Sequence, residues 1–352
     1  MTVRVAVVGL GWAGRSIWLP RLAAHPAYQV VAGVDPAAAA EVLDGDVPVL
    51  CDIDALSPAD VDLAVVAVPN HLHADVACRL LARGIPVFLE KPVCLNSDEA
   101  ERLAAAERVG GTVLLAGSAA RHRADVRALE ELTGTLGQLR HVSISWVRAR
   151  GVPDAGGWFT RRDLAGGGAL VDLGWHLLDT LPHLVGPIRY THAVGAVSSD
   201  FVNDDASRAA WREDQPVQPG LGDVEDTARG FLVSDNGLTV FLRASWASHE
   251  ALDTTVISVE GSAGVATLRC TFGFSPNRPD GPVLTVVRGG RSEVVALPDE
   301  EIGAEYRRQL DALPGLLADP ASRGRAVAEA RDTIAVIERL YDSAPRPVPA
   351  GV

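Results

Sequence analysis

Lysine is nearly absent from this sequence. Of its 32 lysine and arginine residues, 31 are arginine and the remaining one is Lys91. An ammonium is a compact charge whose pKa moves with burial, whereas a guanidinium stays charged and needs a planar fork, so the two are not interchangeable at a reacting atom. A solitary lysine therefore marks a candidate functional position, with chance survival of one surface residue as the plain alternative. Cysteine is scarce too: Cys51, Cys78, Cys94 and Cys270 lie far apart with no CxxC pair. That excludes a disulfide frame and argues against a metal site, leaving a reducing cytoplasm as the expected location. No apolar run approaches the about 20 residues of a membrane helix, and the opening VRVAVVGLGWAG lacks the basic start and cleavage site of a signal peptide. The chain is read as unprocessed. Positive charge is in deficit, 32 basic against 45 acidic side chains for a net charge of −13. Such a surface repels phosphate backbones and anionic lipid, so neither nucleic acid nor membrane is expected as a partner.

What is present is ordinary globular material, 47% apolar and 22% charged over 352 residues, enough for two domains. The first 120 residues alternate short apolar runs at 3–8, 29–34, 47–51, 63–68, 87–89 and 112–115 with helical spacing at 74–83 and 97–108. This is the pattern of βαβ units around a parallel sheet, and Asn96 and Ser97 are cap candidates for the second helix. Beyond about residue 135 the runs at 140–147, 188–197, 227–233, 238–245, 254–260 and 283–287 read as strands of a largely antiparallel open sheet. A helix over 169–184 interrupts them, and helices near 300–318 and 324–342 either cover that sheet or pack back on the first domain. The fold class is therefore α/β, with domains at 1–120 and 121–352. Residues 198–223, rich in Asp, Asn, Pro and Gly, are expected to form a long loop or insertion.

Gly9, Gly11 and Gly14 spell GxGxxG directly after the first apolar run. Glycines there permit a tight turn and close approach to a pyrophosphate, which the next helix meets with its free N–H groups. Asp35 ends the second strand 21 residues beyond Gly14, where a carboxylate can accept from ribose hydroxyls, or serve only as a turn residue before Pro36. With no arginine adjacent to receive a 2′-phosphate, NAD is favoured over NADP. Pro69, Asn70, His71 and His73 close the fourth strand, at the sheet end where such folds bind ligands. Asn70 contacts the cofactor or caps the next helix, and at least one of the two histidines is expected to make a structural bond within the loop.

Lys91 lies in Glu90-Lys91-Pro92 after the fifth strand, at the same sheet end. A cation there can stabilise the alkoxide character that develops on a substrate as hydride leaves. Glu90 is expected to pair with Lys91 or bind ribose, and Pro92 to fix the turn. In GGGALVDLGWHLLD at 166–179, Asp172 and His176 are four apart and share a helical face, with Asp179 on nearly the same side. An imidazole suits proton removal from a hydroxyl, and a carboxylate can hold the substrate or orient the imidazole. The glycine triplet is expected to let backbone approach a ligand. A surface contact is the ordinary meaning of a helical Asp/His pair, and without a further His/Cys cluster the case for a metal is weak.

With GLGWAG at 9–14, PNHLH at 69–73, EKP at 90–92, GGGALVDLGWH at 166–176 and VEDTA at 224–228, the chain resembles the Gfo/Idh/MocA oxidoreductase family over nearly its whole length. The resemblance implies a Rossmann domain whose Gly9, Gly11, Trp12, Ala13, Gly14, Asp35, Pro69, Asn70, His73, Glu90 and Lys91 bind the cofactor. It also implies an α/β domain whose open sheet supports a homodimer or homotetramer. The family's catalytic lysine matches Lys91, its substrate carboxylate Asp172 and its acid/base histidine His176. Hydride transfer between NAD and a secondary alcohol or ketone of a sugar, amino sugar, sugar nucleotide or cyclitol is the expected reaction. Imine or non-sugar carbonyl reduction and a non-catalytic NAD-binding regulator are the alternatives. The segment Trp158 to Arg162 departs from the family's Trp-Arg pattern, so substrate contacts do not carry over there. The acidic loop residues Asp200, Asp204, Asp205 and Asp214 raise an aminated sugar, such as an aminoglycoside, as a substrate, against plain solvated charge.

Overall fold

The computed structural model describes residues 2–38, 42–153, 157–209 and 222–345. It divides into two compact units, one of residues 1–118 with 306–334 and the other of 119–305 with 335–352.

In the first unit, β1 (Val3–Val8), β2 (Tyr28–Val34), β3 (Val42–Leu43), β4 (Val47–Leu50), β5 (Leu63–Val66), β6 (Val87–Leu89) and β7 (Leu114–Ala116) form one sheet in the order β3-β4-β2-β1-β5-β6-β7. All neighbours are parallel except the short β3 against β4. Helices cover a parallel sheet on both faces, which is why β5 and β6 are buried at every residue and read as unbroken apolar runs. Strand order reverses between β1 and β5, the point where doubly wound sheets open a crevice at their C-terminal edge.

Of the covering helices, α1 (Leu19–Ala24), α2 (His73–Ala82) and α3 (Ser97–Gly110) belong to the N-terminal stretch. The Asn96 side chain caps α3 by accepting from the Glu99 N–H at 2.9 Å, and Gly111 ends it with φ +61°. The C-terminal helices α7 (Ala304–Ala318) and α8 (Arg325–Ser343) place residues 306–334 in this unit. There Tyr28 Oη donates to the Leu310 carbonyl, Gln309 donates to the Ala116 carbonyl, and the buried Glu107 carboxylate accepts from the Leu114 and Gly324 N–H groups.

The second unit is built on β8 (Leu139–Val147), β9 (Tyr190–Ser198), β10 (Thr227–Ser234), β11 (Thr239–Ser245), β12 (Thr254–Gly261), β13 (Gly264–Cys270), β14 (Val283–Arg288) and β15 (Arg291–Val295), ordered β15-β14-β13-β12-β8-β11-β10-β9. Six pairings are antiparallel; β8 with β11 is parallel. After the short α5 (Arg162–Ala165) comes α6 (Trp175–Val185), and α4 (Ala124–Thr133) and α6 pack on the face where Val142, Ile144 and Trp146 of β8 are buried beside Val240, Leu242, Ile257 and Val259. The alternate residues form the other face, which carries the cross-strand row Val194, Phe231, Phe241, Ser143, Ser258, Thr267 and Thr285. Strands β13 and β15 and helix α4 were not among the expected elements. The expected insertion begins after β9, contains a turn at Asp205–Ser207, and is closed at its neck by paired hydrogen bonds between the Asn203 amide and the Gly222 backbone. Residues 210–221, with Asp214, lie outside the described residues.

Candidate active site

At the end of β1 the chain turns so tightly that its own backbone dictates two of the three motif glycines. Gly9 has φ +91°, and a Cβ there would sit 2.7 Å from the Ala67 carbonyl oxygen; one on Gly14 would sit 2.1 Å from the Gly9 carbonyl oxygen. Gly11 is different: a Cβ there would meet nothing within 4 Å. Packing does not require that glycine, and its bare backbone faces open space, where a phosphate comes close in such turns. Asp35 stands beside it. Its Oδ2 accepts from the Leu10 N–H and its Oδ1 from the Ala37 N–H, both at 2.9 Å, and each oxygen keeps a lone pair for a ribose hydroxyl. The turn and the carboxylate thus fit a dinucleotide. When bound, nicotinamide supplies the hydride acceptor or donor.

The expected helix after the turn opens in a wider form than an α-helix. Residues Ala13–Trp18, just after Trp12, wind as a π-helix, with the Leu19 N–H bonded to the Gly14 carbonyl. Pro20 has no N–H to offer the Ser16 carbonyl, and Arg21 Nη1 supplies that carbonyl and the Ile17 carbonyl instead. Trp18, fully buried, packs edge-on against Phe88 and donates from Nε1 to Glu90 Oε1 at 2.8 Å. The other Glu90 oxygen accepts from the Lys91 N–H at 3.0 Å. Glu90 therefore orients the start of the Glu90-Lys91-Pro92 turn; burial raises its carboxyl, against the lowering effect of the Lys91 charge and both hydrogen bonds. Lys91 itself is half-buried, and the Lys91–Pro92 peptide is cis.

Pro69 precedes a short turn at Asn70–Leu72, with Asn70 buried. His73, expected beside the cofactor, is 1% exposed, and both ring nitrogens lie on backbone: Nδ1 at 2.7 Å from the Pro92 carbonyl and Nε2 at 2.8 Å from the Val68 carbonyl. It ties the loop after β5 to the loop after β6, which holds Lys91 against the same sheet edge as the glycine turn. Two carbonyl acceptors favour a charged ring, but burial, helped by the Lys91 and His71 charges, outweighs them and pushes the imidazole down to about 4.

In the second unit the expected helix over 169–184 is in two parts, a π-helix at Leu170–Gly174 and then α6. At about 4.4 residues per π turn, positions four apart still align, so Asp172 and His176 share a face. Both are half-buried, and Asp179 is buried. Trp246 Nε1 donates to Asp172 Oδ2 at 2.9 Å, and the Trp146 ring lies 5.6 Å from that of His176. Arg148 sits over the same Trp146 ring at 5.0 Å.

The glycine triplet serves a purpose other than the expected ligand approach. A Cβ on Gly168 would fall 1.8 Å from the Glu225 carbonyl oxygen, and one on Gly167 would fall 2.1 Å from the Tyr341 hydroxyl, so the glycines admit the protein's own chain. Glu225, 3% exposed, accepts at Oε1 from the Gly168 and Leu170 N–H groups at 3.0 Å and from Tyr341 Oη at 2.7 Å; Arg162 lies 3.3 Å from its Oε2. It ties down two of the amides that a helix start leaves without partners. Burial raises its carboxyl and the Tyr341 hydroxyl alike. Glu225, Tyr341, Trp146 and Trp246 were not singled out as site residues; of these only Glu225 carried a signal, inside the VEDTA motif.

Lys91 thus belongs to the first unit, and Asp172 and His176 to the second. Asp204 and Asp205 do not gather into a pocket: Asp204 caps its own turn through Ala206 and Ser207, and Asp205 pairs with Arg208. Among the described residues no His, Cys, Asp and Glu cluster could hold a metal.

His73 gives a pH signature. An unfolded histidine titrates near 6.5, above the folded value, so between the two the unfolded chain binds the extra proton. Stability is then expected to fall as pH drops from about 6.5 towards 4, by at most about 1.4 kcal/mol per pH unit from this group. Urea midpoints measured at pH steps check it: His73→Gln should flatten the decline in that window, and an unchanged slope contradicts the buried neutral ring.

Comparison with known proteins agrees with this architecture. The model of the Gfo/Idh/MocA oxidoreductase family's NAD-binding Rossmann fold matches residues 3–118, and that of the family's C-terminal domain matches residues 126–267. A putative UDP-kanosamine synthase oxidoreductase subunit of Amycolatopsis mediterranei (strain S699) is 61% identical over 347 residues, 98% of this chain and 96% of its own. The dTDP-3,4-didehydro-2,6-dideoxy-alpha-D-glucose 3-reductase of Streptomyces antibioticus is 32% identical over 207 residues, 55% of this chain and 60% of its own. Among solved structures, GenD2 from gentamicin A biosynthesis, in complex with NAD, superposes with a TM-score of 0.73 at 24% identity, covering 97% of this chain and 94% of its own. The chain belongs to the Gfo/Idh/MocA family of oxidoreductases, whose N-terminal domain is an NAD-binding Rossmann fold.

Proposed function

We propose that this enzyme uses NAD to interconvert a secondary alcohol and a ketone on the hexose of a UDP-sugar, at carbon 3. The observation that carries the substrate class is the 61% identity, over 98% of this chain, to a protein named for UDP-kanosamine, an amino sugar bearing nitrogen at that carbon. The 3-reductase named for a dTDP-sugar supports the position. Hydride transfer makes a ketone and not an amine, so the nitrogen is left to a separate aminating protein. The first domain holds the dinucleotide through Gly9, Gly11, Trp12, Ala13, Gly14 and Asp35, with Pro69 and Asn70 at the neighbouring strand end. Asp35 favours NAD, because a carboxylate repels a 2′-phosphate.

In this reading Asp172 accepts hydrogen bonds from the sugar hydroxyls and fixes the ring. His176 takes the proton of the reacting hydroxyl at an imidazole nitrogen and returns it in the reverse direction. Lys91 donates a hydrogen bond to the same substrate oxygen and stabilises its negative charge. A guanidinium is wider and carries its charge in a plane, so arginine is a poor replacement at that oxygen.

The cytoplasm is the proposed location, in keeping with four free thiols and with the absence, among the described residues, of any helix long and apolar enough to cross a membrane. A homo-oligomer is proposed through the other face of the second sheet, where Val194 and Phe231 lie opposite each other on β9 and β10 and are 60% and 46% exposed. Monomeric surfaces rarely carry large contiguous apolar patches.

UDP-glucose and NAD should yield NADH and a ketone at carbon 3 by NMR; no NADH, or a carbonyl elsewhere, rejects the assignment. Lys91→Ala is expected to lower kcat by about a hundredfold or more while NAD binding by titration calorimetry stays near wild type, and Lys91→Arg should not rescue it. A near-normal rate in either variant removes Lys91 from the chemistry. His176→Ala should lose the basic-form limb of the kcat/KM pH profile, and an intact limb assigns the proton to another group. Sedimentation equilibrium is expected to show a dimer or tetramer that Phe231→Asp weakens; a monomeric wild type contradicts the oligomer.

A further inference from the structure

Strands β8 and β11 form the one parallel pair in the second sheet among the described residues, so their C-terminal ends emerge side by side. Ala244 lies opposite Trp146 and Ser245 opposite Val147, and Trp246 is the next residue along. The Trp246 side chain is fully buried, and its backbone N–H is tied to the Asp226 carbonyl at 2.8 Å. The centroid of the Phe159 ring lies 6.3 Å from it, and that ring is itself 4.6 Å from Trp158. A ring enclosed in this way cannot follow a moving partner. From that fixed place its Nε1–H donates to Asp172 Oδ2 at 2.9 Å.

We propose that Trp246 is a positioning residue for Asp172: its indole N–H fixes the plane of the carboxylate so that the sugar hydroxyls meet it already oriented. The proposal rests on the reading of Asp172 as the group that holds the sugar. The choice of donor follows from the chemistry. A guanidinium, abundant elsewhere in this chain, binds carboxylates as a two-toothed fork and would occupy both oxygens and cancel the charge. An indole has one N–H and no acceptor, so it engages a single lone pair of the carboxylate where a guanidinium takes both oxygens. Orientation fixed before binding removes a cost that the substrate otherwise meets on arrival. The rest of the VEDTA motif serves the same end, since Asp226 holds the Trp246 backbone and Glu225 holds the Gly168 and Leu170 amides on either side of the turn leading to Asp172.

A double-mutant cycle on the full-length enzyme tests this. Trp246→Phe keeps an aromatic side chain and removes the N–H along with part of the indole volume. With UDP-glucose it is expected to raise the sugar KM about tenfold, the scale of one hydrogen bond to a charged group, while the KM for NAD stays near wild type and the melting temperature falls because a buried ring is cut back. Asp172→Ala should raise the sugar KM further, and adding Trp246→Phe to it should change nothing more. If the two effects multiply in the double variant, Trp246 acts independently of Asp172 and the proposal is wrong. If Trp246→Phe is kinetically normal while Asp172→Ala is impaired, the proposal fails and the reading of Asp172 survives. Normal kinetics in Asp172→Ala overturn both. Should Trp246→Phe not fold, 3-benzothienylalanine at position 246, which replaces N–H by sulfur at nearly constant volume, carries the same comparison.

Discussion

Chain pressed against glycine is the constraint on which both candidate halves of the site depend. At Gly9 and Gly14 in one unit, and at Gly167 and Gly168 in the other, the space a Cβ needs is filled by a carbonyl or a tyrosine hydroxyl of the same chain. Each turn feeds directly into a segment wound as a π-helix. A π turn widens the helix by one residue and redirects the side chains that follow, and such turns recur at functional sites. The glycines therefore do more than tolerate a ligand. They let the chain pass closely enough for the helix start to be held from outside.

Buried carboxylates hold the second of those starts and the turns around both sites. Glu90 takes the Trp18 indole and the Lys91 N–H; Glu225 takes two amides and a tyrosine; Asp226 takes the Phe201 and Val202 N–H groups. Burial raises all three carboxyls, and the hydrogen bonds they accept offset that cost. Removing a partner from a buried charge is costly, so these groups are anchors. His73 behaves likewise, spent between two carbonyls. The buried members of the motifs build the frame, and the half-buried Lys91, Asp172 and His176 are the groups proposed to react.

Much of this was legible beforehand, for local reasons. Unbroken apolar runs placed six of the first sheet's seven strands within a few residues, because both faces of a parallel sheet are covered; the two-residue edge strand β3 was not foreseen. Asn96 announced the start of α3, since a cap depends on residues three apart. Strand β13 and helix α4 escaped notice because the first shows no unbroken apolar run and the second no wholly apolar face: in β13 Thr267 and Arg269 alternate with the buried Ala266, Leu268 and Cys270, and the buried face of α4 mixes Asp125 and Thr133 with Val126 and Leu129. The π segments were beyond reach, since a helix of either kind shows much the same pattern over one turn.

The sequence by itself determined the class of fold, the glycine turn with its carboxylate, and the candidates Lys91, Asp172 and His176, because these follow from periodicity and from chemistry carried by neighbours along the chain. Only the tertiary structure decided what those residues lean on. Glu225 reaches Gly168 across 57 positions and Trp246 reaches Asp172 across 74. No local spacing encodes such a pairing, for it exists once the strands have been laid side by side and the space between them has been filled.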